Sequence, residues 1–222
     1  MNKIVSAKEA IAHIHDGHTI AVGGFGLVGC PLLLVDALAE HSVSGLTIIS
    51  NNLGEPGGKG LGKILVQNKI AKAIGSYFTS NIDAVRYVNE GRLLVELVPQ
   101  GTLSERLRAG GAGIGGFYTK TSAGTLLANG KETRLINGED YVLEFPLIPD
   151  VSLIKAKKAD QLGNLVFSKT ARNFNPDMAR AGKITIVEAE EIVEVGELNP
   201  EQVVIPHLFV DFIVKGVTSD GN

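Results

Sequence analysis

Short apolar runs alternate with helical segments along this chain, and this alternation constrains its fold more than any other feature. The run Thr19–Val22 (TIAV) is β-branched and uncharged, which is typical of a strand buried on both faces. Similar runs follow at 46–50, 72–75, 93–98, 151–156 and 183–189. Strands separated by helices indicate an α/β fold with a doubly wound, mainly parallel sheet.

Helix signals lie between the runs. Ser6 followed by Glu9 forms a capping box, which predicts a helix from there to about His15. Pro31 has no N–H group to leave unpaired, so it suits the first position of the helix PLLLVDALAE. Further helices are predicted over 83–89 and 175–180.

The middle of the chain has a different character. Residues 110–125 are so rich in glycine that we expect no regular element there, and Asn137 with Gly138 marks the turn of a β-hairpin. We therefore predict a small β subdomain at about 110–145, inserted in a single domain of residues 1–216. A loose tail is expected at 217–222.

Charge and cysteine content narrow the function classes. Lys and Arg number 21 against 24 Asp and Glu, so the chain lacks the basic excess with which nucleic-acid-binding proteins neutralise phosphates. Its single cysteine cannot form an internal disulfide, and we expect a cytoplasmic protein. The 17 uncharged residues at 19–35 contain glycines and Pro31, so we do not expect a membrane span.

Amide side chains follow several of the predicted strands. Asn51 and Asn52 come after the run 46–50, and Gln100 follows the run 93–98. Ligands of open parallel sheets bind outside the carboxyl ends of the strands. If these ends are neighbours, the amides could donate hydrogen bonds to a carbonyl oxygen that gains negative charge. The alternative is that they only shape turns.

The loop GGFGLVGC at 23–30 connects the first strand to a helix. Its glycines and the helix N-terminus would suit a diphosphate, although neither a GxGxxG nor a GK[ST] element is present. The alternative role is tight packing between strand and helix. Cys30, at the end of the loop, could be a nucleophile or, more commonly for a lone cysteine, a small buried side chain.

Two clusters of ionisable residues do not suggest a site. We interpret His13, His15, Asp16 and His18 as a solvated helix end, and we expect no metal. The glutamates near the C-terminus alternate with Val and Ile, which predicts a solvated strand face; they are Glu188, Glu190, Glu191, Glu194, Glu197 and Glu201. A crevice suited to polarising a carbonyl, but without an attacking group, suggests that the group comes from another chain.

Long strings of this sequence resemble one family. The segments DGHTIAVGGFGLVGCP (16–31), SNNLG (50–54), VPQGTLSERLRAGGAGIGGFYTKT (98–121), KADQLGN (158–164) and ARNFNP (171–176) are similar to those of the A (alpha) subunits of two-subunit coenzyme A transferases of the 3-oxoacid type. The resemblance implies a CoA-transferase-like fold. It also implies an enzyme that moves CoA from a short-chain acyl-CoA, such as succinyl-CoA or acetyl-CoA, to a 3-oxo acid or fatty acid such as acetoacetate.

The resemblance implies that the nucleophile lies elsewhere. Members of this family react by ping-pong chemistry through a glutamyl-CoA thioester, and the glutamate belongs to a SENG motif of the beta subunit. This chain has no SENG motif, because Ser104 and Glu105 continue as Arg106 and Leu107. We therefore expect no catalytic nucleophile here, a hetero-oligomer of two alpha and two beta subunits, and CoA as substrate with no tightly bound cofactor.

The resemblance also assigns roles to individual residues. Asn51, Asn52 and Gln100 would face the reacting carboxylates, and Gly111, Ala112 and Gly113 would form a loop near the site. The residues expected to contact CoA are Gly23, Gly24, Phe25, Gly26, Leu27, Val28, Gly29 and Cys30.

Two other functions stay open at this point. A non-catalytic module that binds CoA or a nucleotide could use the same crevice without turnover. A sugar-phosphate isomerase of related fold would need its own acid and base near the strand ends, and the sequence offers none.

Overall fold

The computed structural model describes residues 3–217, so the tail predicted at 217–222 lies outside the described residues except for Val217. The strands are β1 (Thr19–Val22), β2 (Leu46–Ser50), β3 (Ile70–Gly75), β4 (Leu94–Leu97), β5 (Phe117–Thr119), β6 (Thr133–Ile136), β7 (Glu139–Glu144), β8 (Val151–Asp160), β9 (Leu165–Val166), β10 (Ile184–Val193) and β11 (Phe212–Lys215). The α-helices are α1 (Ala7–Ile11), α2 (Leu32–Glu40), α3 (Gly62–Val66), α4 (Ile82–Asn89), α5 (Gln100–Gly111) and α6 (Asn175–Ala181).

The main sheet has the strand order β11-β10-β8-β1-β2-β3-β4, with every pair in this row parallel. Strand β9 adds antiparallel to β8. From β1 the chain proceeds through β2 and β3 to β4 at one edge, then returns to β8 on the other side of β1. The strand order therefore reverses between β1 and β8, which is where open α/β sheets bind their ligands.

Helices cover both faces of the main sheet, as a doubly wound fold requires. Helices α1 to α4 contribute apolar side chains to the core on one face, including Ile11, Leu34 and Ile64. Helices α5 and α6 contribute Leu103 and Met178 to the core on the other face. The predicted mainly parallel α/β sheet is thereby confirmed. No helix within 3–217 has the length and apolar character needed to cross a lipid bilayer.

The predicted β-hairpin is also confirmed. Strands β6 and β7 pair antiparallel around Asn137 and Gly138, both of which have positive φ, and β5 joins β7 to complete a three-stranded sheet. The strands of this small sheet lie between α5 and β8 along the chain, so they interrupt the alternation of strands and helices that forms the main sheet.

Several boundaries differ from the prediction. The capping box of Ser6 and Glu9 is present, but α1 ends at Ile11, well short of His15. Pro31 precedes α2 instead of opening it. The expectation of no regular element in 110–125 was wrong at two places, because α5 continues to Gly111 and β5 covers Phe117–Thr119.

The C-terminal glutamates do not form one solvated face. Glu188 and Glu190 are buried, because β10 lies between β8 and β11 and both faces of the sheet are covered there. Lys155 lies 3.2 Å from Glu190 and 3.9 Å from Glu188, and Lys157 lies 2.9 Å from Glu190. A buried carboxylate requires such partners, and the alternation of apolar residues could not reveal them.

Candidate active site

The amide residues and the glycine loop meet at the carboxyl edge of the main sheet. The loop 23–30 follows β1 beside the reversal of strand order, and Asn51 and Asn52 follow β2. Gln100 opens α5 directly after β4 and Pro99. These strand ends lie together at one edge of the sheet, although β3 lies between β2 and β4.

Asn51 is the buried centre of a small amide network. It is 2% exposed, and its Nδ2 donates to Ser76 Oγ at 3.0 Å and to Gln100 Oε1 at 3.2 Å. Its backbone oxygen accepts from Tyr77 N at 2.9 Å. Because both protons of its amide are engaged, Asn51 acts by orienting Gln100. Ser76 was missed in the sequence, since a serine after a strand gives no specific signal.

Asn52 and Gln100 each keep amide protons free. Asn52 Oδ1 accepts from Gly54 N at 3.2 Å, and Gln100 Oε1 accepts from Asn51. Neither Asn52 Nδ2 nor Gln100 Nε2 has a hydrogen-bond acceptor within residues 3–217. Both oxygens are held by internal donors, so the two NH2 groups are the parts of these side chains left for an acceptor outside the chain.

A narrow cleft separates the glycine loop from the segment after β2. Its lining comprises Val22, Gly23, Gly24, Gly26, Leu27 and Cys30 on one side, and Ser50, Asn51, Asn52, Gly54 and Leu61 on the other. Among these residues Cys30 alone carries an ionisable side chain. The Ser50 hydroxyl donates to the Asn52 carbonyl oxygen at 2.6 Å. The cleft therefore offers amide and backbone groups to a ligand, and no carboxylate, histidine or lysine.

Cys30 is unsuited to act as a nucleophile. Its side chain is buried, and burial, followed by the nearby charge of Glu188, raises the pKa of the thiol to about 12. At neutral pH the thiolate fraction is negligible, and the thiolate is the reactive form. The structure supports the interpretation of Cys30 as a small buried side chain.

The N-terminus of α2 is already occupied by an internal anion. Glu188 Oε2 accepts hydrogen bonds from Leu33 N at 2.9 Å and Leu34 N at 3.4 Å. Burial raises the pKa of the Glu188 carboxyl, while Lys155 and these two N–H groups oppose that shift. These two amides are therefore engaged within the chain, and close packing accounts for Gly23, Gly24 and Gly29, at which a Cβ would approach other atoms to 3.0 Å or less.

The outer side of the glycine loop is open. Phe25 and Val28 are 52% and 53% exposed. They line a groove whose other wall contains Lys169, Arg172 and Asn173. Neither Lys169 nor Arg172 forms an ion pair with any described residue.

Gly111, Ala112 and Gly113 do not lie beside Gln100. They are at the C-terminal end of α5, and Gln100 is its first residue, so about 16 Å of helix separates them. Close packing accounts for Gly110 and Gly111, whereas a Cβ on Gly113 would meet nothing within 4 Å. A Cβ on Gly110 would stand 2.2 Å from Leu147 O, and a Cβ on Gly111 would stand 2.6 Å from Arg180 Cβ.

Comparison with known proteins shows the family to which this chain belongs. Residues 4–216 match the family model described as coenzyme A transferase, and the chain belongs to that family. It is 54% identical over 219 residues to the A (alpha) subunit of succinyl-CoA:3-ketoacid coenzyme A transferase of Xanthomonas campestris pv. campestris (strain B100), with 98% of this chain and 90% of that protein covered. It is 52% identical to the corresponding probable subunit of the same enzyme in Bacillus subtilis (strain 168), with 99% and 92% covered.

A solved structure shows the same fold. An acyl-CoA transferase from E. coli O157:H7, crystallised as a thioester complex with CoA, superposes with a TM-score of 0.86 at 22% sequence identity. The superposition covers all of this chain but only 48% of the solved one, so this chain spans about half of that protein's length.

Proposed function

We propose that this chain is the alpha subunit of a two-subunit CoA-transferase, which moves CoA between succinyl-CoA, or another short-chain acyl-CoA, and a 3-oxo acid such as acetoacetate. The names of the relatives at 54% and 52% identity support both the assigned subunit type and the substrates. The observation that carries the proposal is the carboxyl edge of the sheet, where Asn52 and Gln100 keep free amide donors and the cleft beside the glycine loop is lined by no reactive nucleophile.

In the proposed reaction the nucleophile belongs to the partner, the beta subunit. A carboxylate oxygen of a glutamate in the beta subunit makes the first attack, on the carbonyl carbon of the acyl-CoA thioester. The carbon–sulfur bond breaks, CoA leaves as a thiolate, and a mixed anhydride forms. The thiolate then attacks the glutamyl carbonyl carbon, which releases the first acid as a carboxylate and leaves a glutamyl-CoA thioester. A second carboxylic acid reverses these steps and departs as its CoA ester.

Each of these attacks places negative charge on a carbonyl oxygen. The free NH2 groups of Gln100 and Asn52 would donate hydrogen bonds to such an oxygen, and Asn51 would hold Gln100 in the required orientation. Neutral amides suit this role because they do not form a salt bridge that would fix a reacting carboxylate. The loop from Gly23 to Cys30, with Phe25 exposed, would contact CoA.

The other candidate functions receive less support. A sugar-phosphate isomerase needs an acid and a base in its cleft, and the lining residues provide only a buried thiol. A module that binds CoA without turnover would not need Asn51 to hold Gln100 in one orientation. We also propose that the protein works in the cytoplasm and that the complex contains two copies of each subunit.

Reconstitution tests the proposal. CoA transfer from succinyl-CoA to acetoacetate is measured with this chain alone, with its co-purifying partner alone, and with both together. We expect activity only from the combination, and a SENG motif in the partner. Activity of this chain alone, or a combination that binds CoA without transfer, would contradict the assignment.

A further inference from the structure

The glycine loop 23–30 makes few contacts through its own backbone. Phe25 N donates to Val28 O at 3.0 Å and Val28 N donates to Phe25 O at 3.2 Å, which closes the tip of the loop on itself. Gly23 N donates to Leu153 O of β8 at 2.9 Å, and further hydrogen bonds between the loop and its surroundings come from side-chain amides of the ARNFNP segment at 171–176, to which the catalytic proposal gives no role.

Asn173 holds the loop at two points. Its Oδ1 accepts from Gly24 N at 3.1 Å, and its Nδ2 donates to Val28 O at 3.0 Å. Its backbone has φ 24° and ψ −124°, in the left-handed half of the φ/ψ map, which glycine adopts without strain and residues with a side chain rarely adopt. Such a backbone conformation is unfavourable and persists only when the surrounding structure holds it. Its presence at Asn173 suggests that the amide of this side chain must lie at this place to bond the loop.

Asn175 holds the far end of the loop from inside the protein. It is fully buried, and its Nδ2 donates to Gly29 O at 3.1 Å. Its Oδ1 accepts from Lys155 N on β8 at 2.9 Å, and its Nδ2 also donates to Asn173 Oδ1 at 3.2 Å. The pair of asparagines therefore connects the loop after β1 to β8, across the point where the strand order reverses.

Two glycines of the loop fit these asparagines closely. A Cβ on Gly23 would lie 1.9 Å from Asn175 Oδ1, and its three nearest atoms would all belong to that side chain. A Cβ on Gly29 would lie 2.6 Å from Asn173 Nδ2 and 2.3 Å from Ala171 O. The absence of side chains at both positions is what lets the amides reach the backbone of the loop.

We propose that Asn173 and Asn175 are positioning residues of the transfer reaction, which hold the glycine loop in the conformation that receives acyl-CoA. This inference rests on the proposed function. Neither asparagine needs to touch the reacting atoms; they act through Gly24, Val28 and Gly29. A loop without these bonds is free to rearrange, so part of the binding energy of acyl-CoA is used to order it.

The first test removes the amide of Asn173 without straining the backbone. Asn173→Gly suits the left-handed conformation and loses both bonds to the loop. In the assembled two-subunit complex we expect the KM for acyl-CoA to rise about tenfold, because the loop loses two hydrogen bonds, and kcat to change less than about threefold. Asn164→Ala is the matched control: Asn164 bonds Asp160 and His207 away from the loop. It should lower the melting temperature and leave KM unchanged.

The second test uses the fit between Gly23 and Asn175. Gly23→Ala should raise the KM for acyl-CoA in the wild-type background, because its methyl group displaces the asparagine. The Asn175→Ala background lacks the three atoms that such a methyl group would meet first, so the same change should add little there and the two substitutions should be strongly non-additive. Independent effects on KM would contradict this coupling.

Different results of these experiments test the positioning role of the asparagines and the proposed CoA-transferase function. A wild-type complex without transfer activity refutes the proposed function. An active wild type in which Asn173→Gly and Gly23→Ala both keep the normal KM overturns the positioning role. Failure of every loop variant to assemble, at a temperature where Asn164→Ala assembles, would also overturn it, because the asparagines would then serve folding alone.

Discussion

Asn51 Nδ2 donates to Gln100 Oε1 at 3.2 Å across 49 residues of sequence, and this bond determines which end of the Gln100 amide is free. Asn51 is buried and Gln100 is exposed, so a fixed residue orients a residue that a ligand can reach. The free Nε2 is the group that the proposed reaction needs.

Loss of that donor should slow the reaction strongly. Gln100→Ala should lower kcat about 100- to 1000-fold, as expected for the loss of one donor to a developing oxyanion. The complex should still assemble, because Gln100 is exposed at the start of α5. Gln161→Ala is the matched control, since Gln161 is also exposed and its side chain bonds only Glu194 among the described residues. Equal turnover for both variants would remove Gln100 from the site.

Asn51 should act through Gln100. Asn51→Ala should lower kcat about tenfold, because Gln100 loses the hydrogen-bond donor that orients it. In the Gln100→Ala background the same change should cost less than about twofold, since there is no longer an amide to orient. A double-mutant cycle on kcat measures this coupling. Additive losses would show that Asn51 has a role of its own.

Cys30 should resist alkylation in the folded protein. Burial raises the pKa of its thiol to about 12, so almost no thiolate exists at pH 8. We expect iodoacetamide to leave Cys30 unmodified in the native complex under conditions that label it fully after denaturation, as read by intact-protein mass spectrometry. Rapid labelling of the native complex would show that the thiol is accessible and ionised.

Asp150 should make stability depend on pH in the acid range. The Lys183 ammonium donates to its Oδ1 at 2.8 Å, and this bond, together with the Thr19 N–H on its Oδ2, lowers the pKa of the Asp150 carboxyl below its ordinary value of 3.8. A lowered folded-state pKa stabilises the fold above the ordinary value, and that contribution is lost as pH falls through the folded-state value.

Asp150→Asn should accordingly lower the free energy of unfolding by about 1 kcal/mol at pH 7. The difference from wild type should shrink below pH 3.8. Urea unfolding of both proteins between pH 7 and pH 3 measures it. A difference that stays constant over this range would rule out the ionised carboxylate as its source.

The order of most strands and helices could be predicted from the sequence because it depends on local patterns, but α3, α5, β5, β9 and β11 were not predicted. Buried parallel strands are uncharged runs, and Thr19–Val22 and Leu46–Ser50 were located to the residue. Helix α5 was missed because Gly110 and Gly111 look like loop residues. They are required instead by the close approach of Leu147 and Arg180, which only the folded chain reveals.

The placement of the three amides was predictable because it follows from strand ends. Asn51, Asn52 and Gln100 follow parallel strands, and the topology brings such ends to one edge. The burial of Glu188 was not predictable, because its partners Leu33 and Leu34 are more than 150 residues away. The contacts of Asn173 and Asn175 with the loop are similarly distant in sequence.

The most direct measurement locates the covalent intermediate. The assembled complex is incubated with acyl-CoA and then reduced with borohydride, which converts a glutamyl thioester to an alcohol, and both chains are analysed by peptide mass spectrometry. We expect one glutamate of the partner to be reduced and every glutamate of this chain to be unchanged. Reduction of a glutamate in this chain would contradict it.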